Sequence, residues 1–386
     1  MKILIVLTYY RPHISGLTIY AERIAKALAQ RGHQVTVLTS RFDKGLPAEQ
    51  DDEGVRIIRV PVLMRLSKGV LMPTFGRLAS RLVRDHDVVQ LHLPQFDAAG
   101  VAMRGRLRKK PTVITYHCDL ELPPGFFNRI ANLAVLLMND LAARFTHRIV
   151  TYTEDYATHS KYTSRYMNKV KVIPPPVVLP EISAEAIQAF HSRHNPNDQN
   201  PVIGMAARFA TEKGVEVLLH AMPEILKHFP NALFQFVGPY KNIIGEEQYF
   251  QRLESEIQRF EAEGHWRFLG SMSPEEMSAF YANLDLLVVP SLNSTEAFGL
   301  VQIEAMMNGV RCITSNLPGV RQPVMVHRMG AIFPIGDSSE LARQIIVALR
   351  NPELLKQANT NFSAYSPDSV AEAYETLFDE ITAELA

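Results

Sequence analysis

Cysteine is scarce: Cys118 and Cys312 are the two in 386 residues. Two thiols cannot build a disulfide framework or a four-thiolate zinc site, and they fit a reducing cytosol. Long apolar runs are missing as well; no stretch approaches the ~20 residues that a membrane-spanning helix needs. The opening "MKILIVLTYYRPHISG" carries a short apolar segment, then polar residues and a proline, with no signal-peptide cleavage pattern. Heptads, tandem repeats and low-complexity tracts are also absent. A disulfide-stapled secreted domain, a membrane span and a coiled coil are therefore excluded as expectations, and a cytoplasmic protein is expected.

Net charge is lacking too, with 40 Lys and Arg against 40 Asp and Glu, but the balance hides a division. Residues 1–178 hold 26 basic and 14 acidic side chains, a balance of +12, and residues 179–386 hold 14 and 26, a balance of −12. Such a split, in a chain too long for one ordinary core, suggests two domains, the first suited to an anionic surface or substrate. Nucleic acid is not the expected partner, because the basic residues lack interleaved stacking aromatics and no nucleic-acid motif occurs.

What is present is an alternation. "KILIVLT" is a short apolar strand; "TIYAERIAKALAQRGH" has apolar residues at helical spacing with Gly32 as a stop; "HQVTVLTS" is a second strand. "DVVQLHLP", "PTVITYH" and "HRIVTYT" extend the series. The run "VKVIPPPVVLPEI" (170–182) has Pro174, Pro175, Pro176 and Pro180 and reads as a stiff connector. After it the alternation restarts with "VIGMAAR", "ALFQFVG", "WRFLG", "LLVVPS", "RCITSN" and "GAIFPI" as strands, separated by helices. The expectation is an α/β protein of two Rossmann-like parallel-sheet domains, 1–178 and 179–366, with a cleft between them. The last helix, 367–386, is expected to pack back on the first domain. In open parallel sheets ligands bind beyond the carboxyl ends of the strands, so the loops after the strands are the ones to read.

Two such loops carry charge. "RFATEKG" places Arg208 and Lys213 just before a helix that begins near Gly214. A helix start offers unpaired N–H groups and partial positive charge, and a guanidinium plus an ammonium suit a diphosphate; a solvated loop is the alternative. "LNSTEAFGLVQIEAMMNG" places Glu296 in a loop and Glu304 eight positions on, inside a helix. A carboxylate accepting two hydrogen bonds side by side suits a vicinal diol such as that of ribose, and the backbone of Phe298, Gly299 and Leu300 would offer N–H donors to phosphate. A rim charge and a helix-capping acid are the plain alternatives.

Taken together, "ARFATEKG", the E-x7-E segment "EAFGLVQIEAMMNG", the flanking "VVPS" and "RCITSNLPG", the first loop "YYRPHISGLTIYAERIAKAL" and "TYHCD" resemble, in order and over nearly the whole chain, the retaining GT-B glycosyltransferases of glycosyltransferase family 4. That resemblance implies the GT-B architecture and transfer of a hexosyl group from a nucleotide sugar, most simply a UDP-sugar such as UDP-glucose, to a sugar or lipid-linked acceptor in polysaccharide or glycolipid assembly. It implies that Arg208 and Lys213 bind the diphosphate, Glu296 orients the donor sugar and Glu304 holds the ribose. Gly16 would admit the phosphates to the first loop, and His117 would reach the sugar from the other domain. Gly238 and the "LGSM" loop at 269–272 would border the nucleotide.

The pattern departs from the family at Ser15-Gly16, at "IPPPVV" and at "PGVRQPV", so the shape of the sugar pocket is not carried by the resemblance. No metal or other cofactor is required by this arrangement; the one Asp-x-Asp, Asp85-His86-Asp87, precedes a strand, at the end opposite the ligand edge. His13 and His92 are read as structural histidines on ligand-side loops. The segments 63–85 and 104–110 mix cations with apolar residues, and an anionic membrane surface is the partner this suggests, against a solvated helix face with an acceptor cap. A nucleotide-sugar 2-epimerase and a catalytically silent nucleotide-sugar binding subunit are the competing readings.

Overall fold

The computed structural model describes residues 1–66, 69–120, 126–241, 243, 245–351 and 358–386. They form two compact units, one of Met1–Val177 with Ser363–Ala386, the other of Val178–Phe362.

The first unit is built on β1 (Lys2–Val6), β2 (Gln34–Arg41), β3 (Glu49–Asp52), β4 (Val55–Pro61), a small hairpin β5 (Met64–Leu66) and β6 (Gly69–Leu71), then β7 (Val88–Leu93), β8 (Thr112–Tyr116), β9 (Arg148–Thr151) and β10 (Val170–Val172). Its main sheet has the order β10-β9-β8-β7-β1-β2-β4-β3, parallel except for the β3–β4 pair. Strands such as Ile3–Val6 and Val88–Leu93 are wholly buried, as expected of a parallel sheet covered on both faces by crossover helices. β3, with the sequence EQDD, carries acids on an exposed edge, where charge discourages further pairing. The final helix, Pro367–Leu385, closes this unit: Tyr374 Oη lies 2.8 Å from Tyr20 Oη and 2.7 Å from Thr115 Oγ1. Arg31 adds ion pairs to Asp368 and Glu375.

The second unit contains β11 (Val202–Ala206), β12 (Leu233–Val237), β13 (Trp266–Gly270), β14 (Leu286–Val289), β15 (Arg311–Ser315) and β16 (Gly330–Phe333). All are parallel, in the order β13-β12-β11-β14-β15-β16. Here the order turns back on itself at β11: β12 and β13 lie to one side and β14 to the other, which opens a crevice at the carboxyl ends of β11 and β14. The core beneath is aromatic and aliphatic, including Phe209, Phe234, Phe236, Leu218 and Leu286.

Several elements differ from the sequence expectation. The stretch 49–71 forms four strands that had no helix–strand alternation to announce them. The connector 170–182 begins as an edge strand, β10, before its prolines stop further pairing. His92 lies within β7, fully buried, and not on a loop. The segment 63–85 is the hairpin followed by the helix Phe75–Asp85, which buries Phe75, Ala79, Leu82 and Val83 and exposes Arg77, Arg81 and Arg84.

Candidate active site

In the second unit, the loops after β11, β12 and β14 are tied to one another through the backbone. Phe209 N donates to Pro239 O at 2.9 Å, Ala207 N to Val237 O at 2.9 Å, and Leu292 N to Glu212 O at 2.9 Å. Two glycines allow this closeness. Gly214 has φ +68°, and a Cβ there would lie 2.1 Å from Pro290 O; Gly238 has φ +130°, and a Cβ would lie 2.0 Å from Ala207 O. Neither position admits a side chain without moving a neighbouring loop.

This framework sets the charged groups. Arg208 pairs with Glu212, one turn on, and Lys213 pairs with Glu296 from the loop after β14. Glu296 also accepts from Gly299 N at 3.1 Å, at the start of the helix Leu300–Met307. Gly214 is the residue before the helix Val215–His228, so Lys213 stands beside one helix start and faces another. Burial works against the Lys213 charge, but the Glu296 carboxylate, by charge and hydrogen bond, together with Glu212, more than offsets it and leaves the ammonium pKa raised. Two cations, two helix starts and two acids thus share a small region.

Glu304, 9% exposed, accepts a hydrogen bond from Tyr281 Oη at 2.9 Å. Phe298 is buried, and its carbonyl accepts from Gln302 Nε2 at 3.0 Å; the same amide donates to Val320 O at 2.8 Å. Leu300 is the first residue of the helix. Gly238 borders Arg208 through Ala207. The second unit therefore brings Arg208, Lys213, Glu296, Phe298, Gly299 and Leu300 onto adjoining loops, with Glu304 one turn into the helix that those loops begin.

Gly16 and His117 lie in the first unit. Gly16 opens the helix Gly16–Gln30 behind the Ser15 cap, and a Cβ on it would meet nothing within 4 Å. His117 follows β8 and is 5% exposed. Its Nε2 lies 2.8 Å from His92 Nδ1, its Nδ1 bonds the Tyr152 hydroxyl, and the Tyr20 ring stands edge-on at 5.1 Å. Burial holds the His92 imidazole down to about 3; burial, and secondarily His92, depress His117 as well. Both rings are held neutral at pH 7, so across the N···N contact one nitrogen donates its N–H and the other accepts.

A pH dependence follows. An unfolded imidazole titrates near 6.5. Below that pH the unfolded chain binds protons that the folded His92 and His117 refuse, so folding weakens as pH falls from 6.5 toward the depressed folded values. Each such group costs up to about 1.4 kcal/mol per pH unit. Melting midpoints should drop steadily between pH 7 and pH 5, and the slope should lessen in His92→Gln; a flat profile in the wild type would contradict this.

The sequence pattern marks Gly214 only as a helix start and His92 only as a structural histidine, and it does not mark Glu212, Glu246, Tyr281, Gln302 or Tyr152. Glu212 was legible as the i+4 partner of Arg208. Glu246, which takes hydrogen bonds from Thr211 N at 3.0 Å and Oγ1 at 2.8 Å, and Tyr281 meet their partners 35 and 23 positions away, a distance no local pattern reports. Among the described residues no group of three or more His, Cys, Asp or Glu is placed to hold a metal. Asp87 caps the entry to β1, its carboxylate accepting from Lys2 N at 2.8 Å.

Comparison with known proteins follows the same two halves. Residues 14–179 match the family model "Glycosyltransferase Family 4" and residues 186–364 match "Glycosyl transferases group 1". The chain belongs to glycosyltransferase family 4. Its fold is GT-B. This family 4 chain is 25% identical to a phosphatidyl-myo-inositol mannosyltransferase of Mycobacterium leprae over 346 residues, 88% of this chain and 85% of the relative. Among solved structures it is similar to a sucrose-phosphate synthase from Thermosynechococcus elongatus, with a TM-score of 0.76, 19% identity and 99% of each chain covered. It is likewise similar to the Anabaena protein HepE, solved in complex with UDP and glucose, with a TM-score of 0.73, 20% identity and coverage of 100% and 99%. As a glycosyltransferase the chain is an enzyme, and among its described residues no helix is long and apolar enough to cross a membrane.

Proposed function

We propose that this glycosyltransferase moves a hexosyl group from a nucleotide sugar, a UDP-sugar of the UDP-glucose kind, to a sugar or lipid-linked acceptor, with retention of configuration. The observation that carries the proposal is the meeting of Arg208 and Lys213 with two helix starts at the carboxyl edge of the second sheet. Breaking the anomeric C–O bond puts negative charge on the departing diphosphate. Fixed cations and helix-terminal N–H groups stabilise that charge more in the transition state than in the bound substrate. Arg208 offers a planar fork of donors and Lys213 a compact charge, so the pair covers both phosphates. The reading calls for no metal, because side chains and backbone meet the charge.

Glu304 takes the ribose hydroxyls and Glu296 the sugar hydroxyls. Gly238, Phe298, Gly299 and Leu300 line the nucleotide. The UDP and glucose in the complex of HepE, and the lipid named as the substrate of the mycobacterial relative, support the donor and acceptor classes. Exposed Arg106, Arg108 and Lys109, beside exposed Met103 and Leu107, suit contact with an anionic membrane surface.

The test is a panel of nucleotide sugars, scored by the nucleoside diphosphate released, with sugar and lipid acceptors offered in solution and in anionic vesicles. Release of UDP from one UDP-hexose, rising with acceptor, is the expected result. An isomerised nucleotide sugar, or no release from any donor, would refute the transfer. Turnover indifferent to anionic lipid would remove the membrane contact.

A further inference from the structure

The Glu296 carboxylate occupies an unusual position for an acid that is to bind a sugar. It holds the Lys213 ammonium with one oxygen and the Gly299 N–H, at the start of the helix Leu300–Met307, with the other. A cation and a helix-terminal amide are the two donors that a phosphate would need at this place. Lys213 is joined by this pair to a loop 83 residues away in sequence, whereas the Arg208–Glu212 pair is local to its own turn. Each of the two cations is already paired with a carboxylate, so an incoming diphosphate meets cations that are already spoken for.

We propose that Glu296 is a built-in stand-in for the donor's diphosphate, occupying its seat until the nucleotide sugar arrives. On binding, the diphosphate takes over the Lys213 ammonium and the helix-terminal N–H from the carboxylate. Glu296, released beside the anomeric centre, turns to the sugar hydroxyls. No bond is made or broken in this exchange; one anion replaces another on the same donors. Two consequences follow from the geometry. Without a ligand, Lys213 is never an uncompensated buried charge, which steadies the empty site. After transfer, the same carboxylate competes with the nucleoside diphosphate for Lys213 and so promotes product departure. Glu296 therefore acts against nucleotide binding while acting for turnover.

This inference rests on the diphosphate reading of Lys213, and one set of titrations separates the two. UDP, GDP and ADP are titrated by calorimetry into the wild type, Glu296→Gln, Lys213→Ala and the double variant, each checked for a cooperative melt. The glutamine keeps the size of the side chain and can still accept from Gly299 N, but it carries no charge for Lys213. Expected is a nucleoside diphosphate bound about 2- to 5-fold more tightly by Glu296→Gln than by the wild type, the range that a partly exposed ion pair commands. Turnover of the same variant should fall, so affinity and rate move in opposite directions. In the Lys213→Ala background, Glu296→Gln should bring no gain. Should Glu296→Gln melt poorly, Glu296→Ala serves in its place, with the same expected gain. Equal or weaker binding by the charge-neutral variants, with Lys213→Ala still weakened, would overturn the stand-in and leave the diphosphate reading in place. If no nucleotide binds the wild type, or Lys213→Ala binds as well as the wild type, both fall together.

Discussion

Lys213→Ala is expected to lower turnover by about 10²- to 10³-fold, the cost of removing one donor aimed at charge that develops in the transition state. The ammonium is held beside two helix starts, where its field is strong and its position needs no reorganisation during reaction. The substitution also leaves Glu296 without its cationic partner, so part of the loss will appear as weaker organisation of the loop after β14. Steady-state rates at saturating donor check the first effect, and the donor KM reports the second. Asp87→Ala is the matching control. Its carboxylate lies at the amino end of the first unit's sheet and bonds only the Lys2 backbone among the contacts described, so turnover should stay within about twofold of the wild type. Comparable rates for Lys213→Ala and the wild type would show that the diphosphate is met elsewhere.

Gly214→Val is expected to damage both stability and binding. The backbone at φ +68° disfavours any L side chain by about 1–2 kcal/mol, and a branched one by more. The new Cβ would also stand 2.1 Å from Pro290 O, a contact that only a shift of backbone can relieve. Since Gly214 precedes the helix Val215–His228 and Pro290 leads into the loop of Glu296, that shift separates Lys213 from Glu296 and the two helix starts from each other. A total cost of about 2–4 kcal/mol is expected, read as a melting midpoint lowered by several degrees. Nucleoside diphosphate affinity should fall at least about tenfold with it, because each loop supplies part of the proposed anion site. A variant that melts and binds like the wild type would show that the two loops need not touch.

Much of this architecture is legible in the sequence because a parallel sheet buried on both faces writes short apolar runs, and crossover helices write the 3.6-residue period between them. "KILIV", "VIGMA" and "LLVV" are strands for that reason. β3 escapes the same reading because EQDD is an exposed edge, with neither alternation nor apolar content. β10 hides in a segment whose prolines dominate its appearance, although the three residues before them still pair with β9. His92 looks like a loop residue two positions before Pro94, yet β7 runs through it, and its ring meets His117 just beyond the next strand.

The candidate site divides along the same line. Arg208, Lys213 and Glu296 could be picked out because each sits in a loop between a strand end and a helix start, and Glu304 because it lies one turn into the helix that follows. What fixes them is not local. Pro290 against Gly214, Glu246 on Thr211, Tyr281 on Glu304 and Gln302 between Phe298 and Val320 are contacts between loops that the strand order brings together. Sequence spacing shows which residues carry charge toward the ligand edge; the strand order β12-β11-β14 decides which of them meet.

The central claim is that a diphosphate binds where Arg208 and Lys213 meet the starts of the helices Val215–His228 and Leu300–Met307. A crystal structure with a bound nucleoside diphosphate, UDP first and GDP second, measures this directly. The account predicts phosphate oxygens within hydrogen-bond distance of the Lys213 ammonium and the Arg208 guanidinium, with ribose hydroxyls on Glu304. A nucleotide bound with its phosphates away from both cations would contradict it.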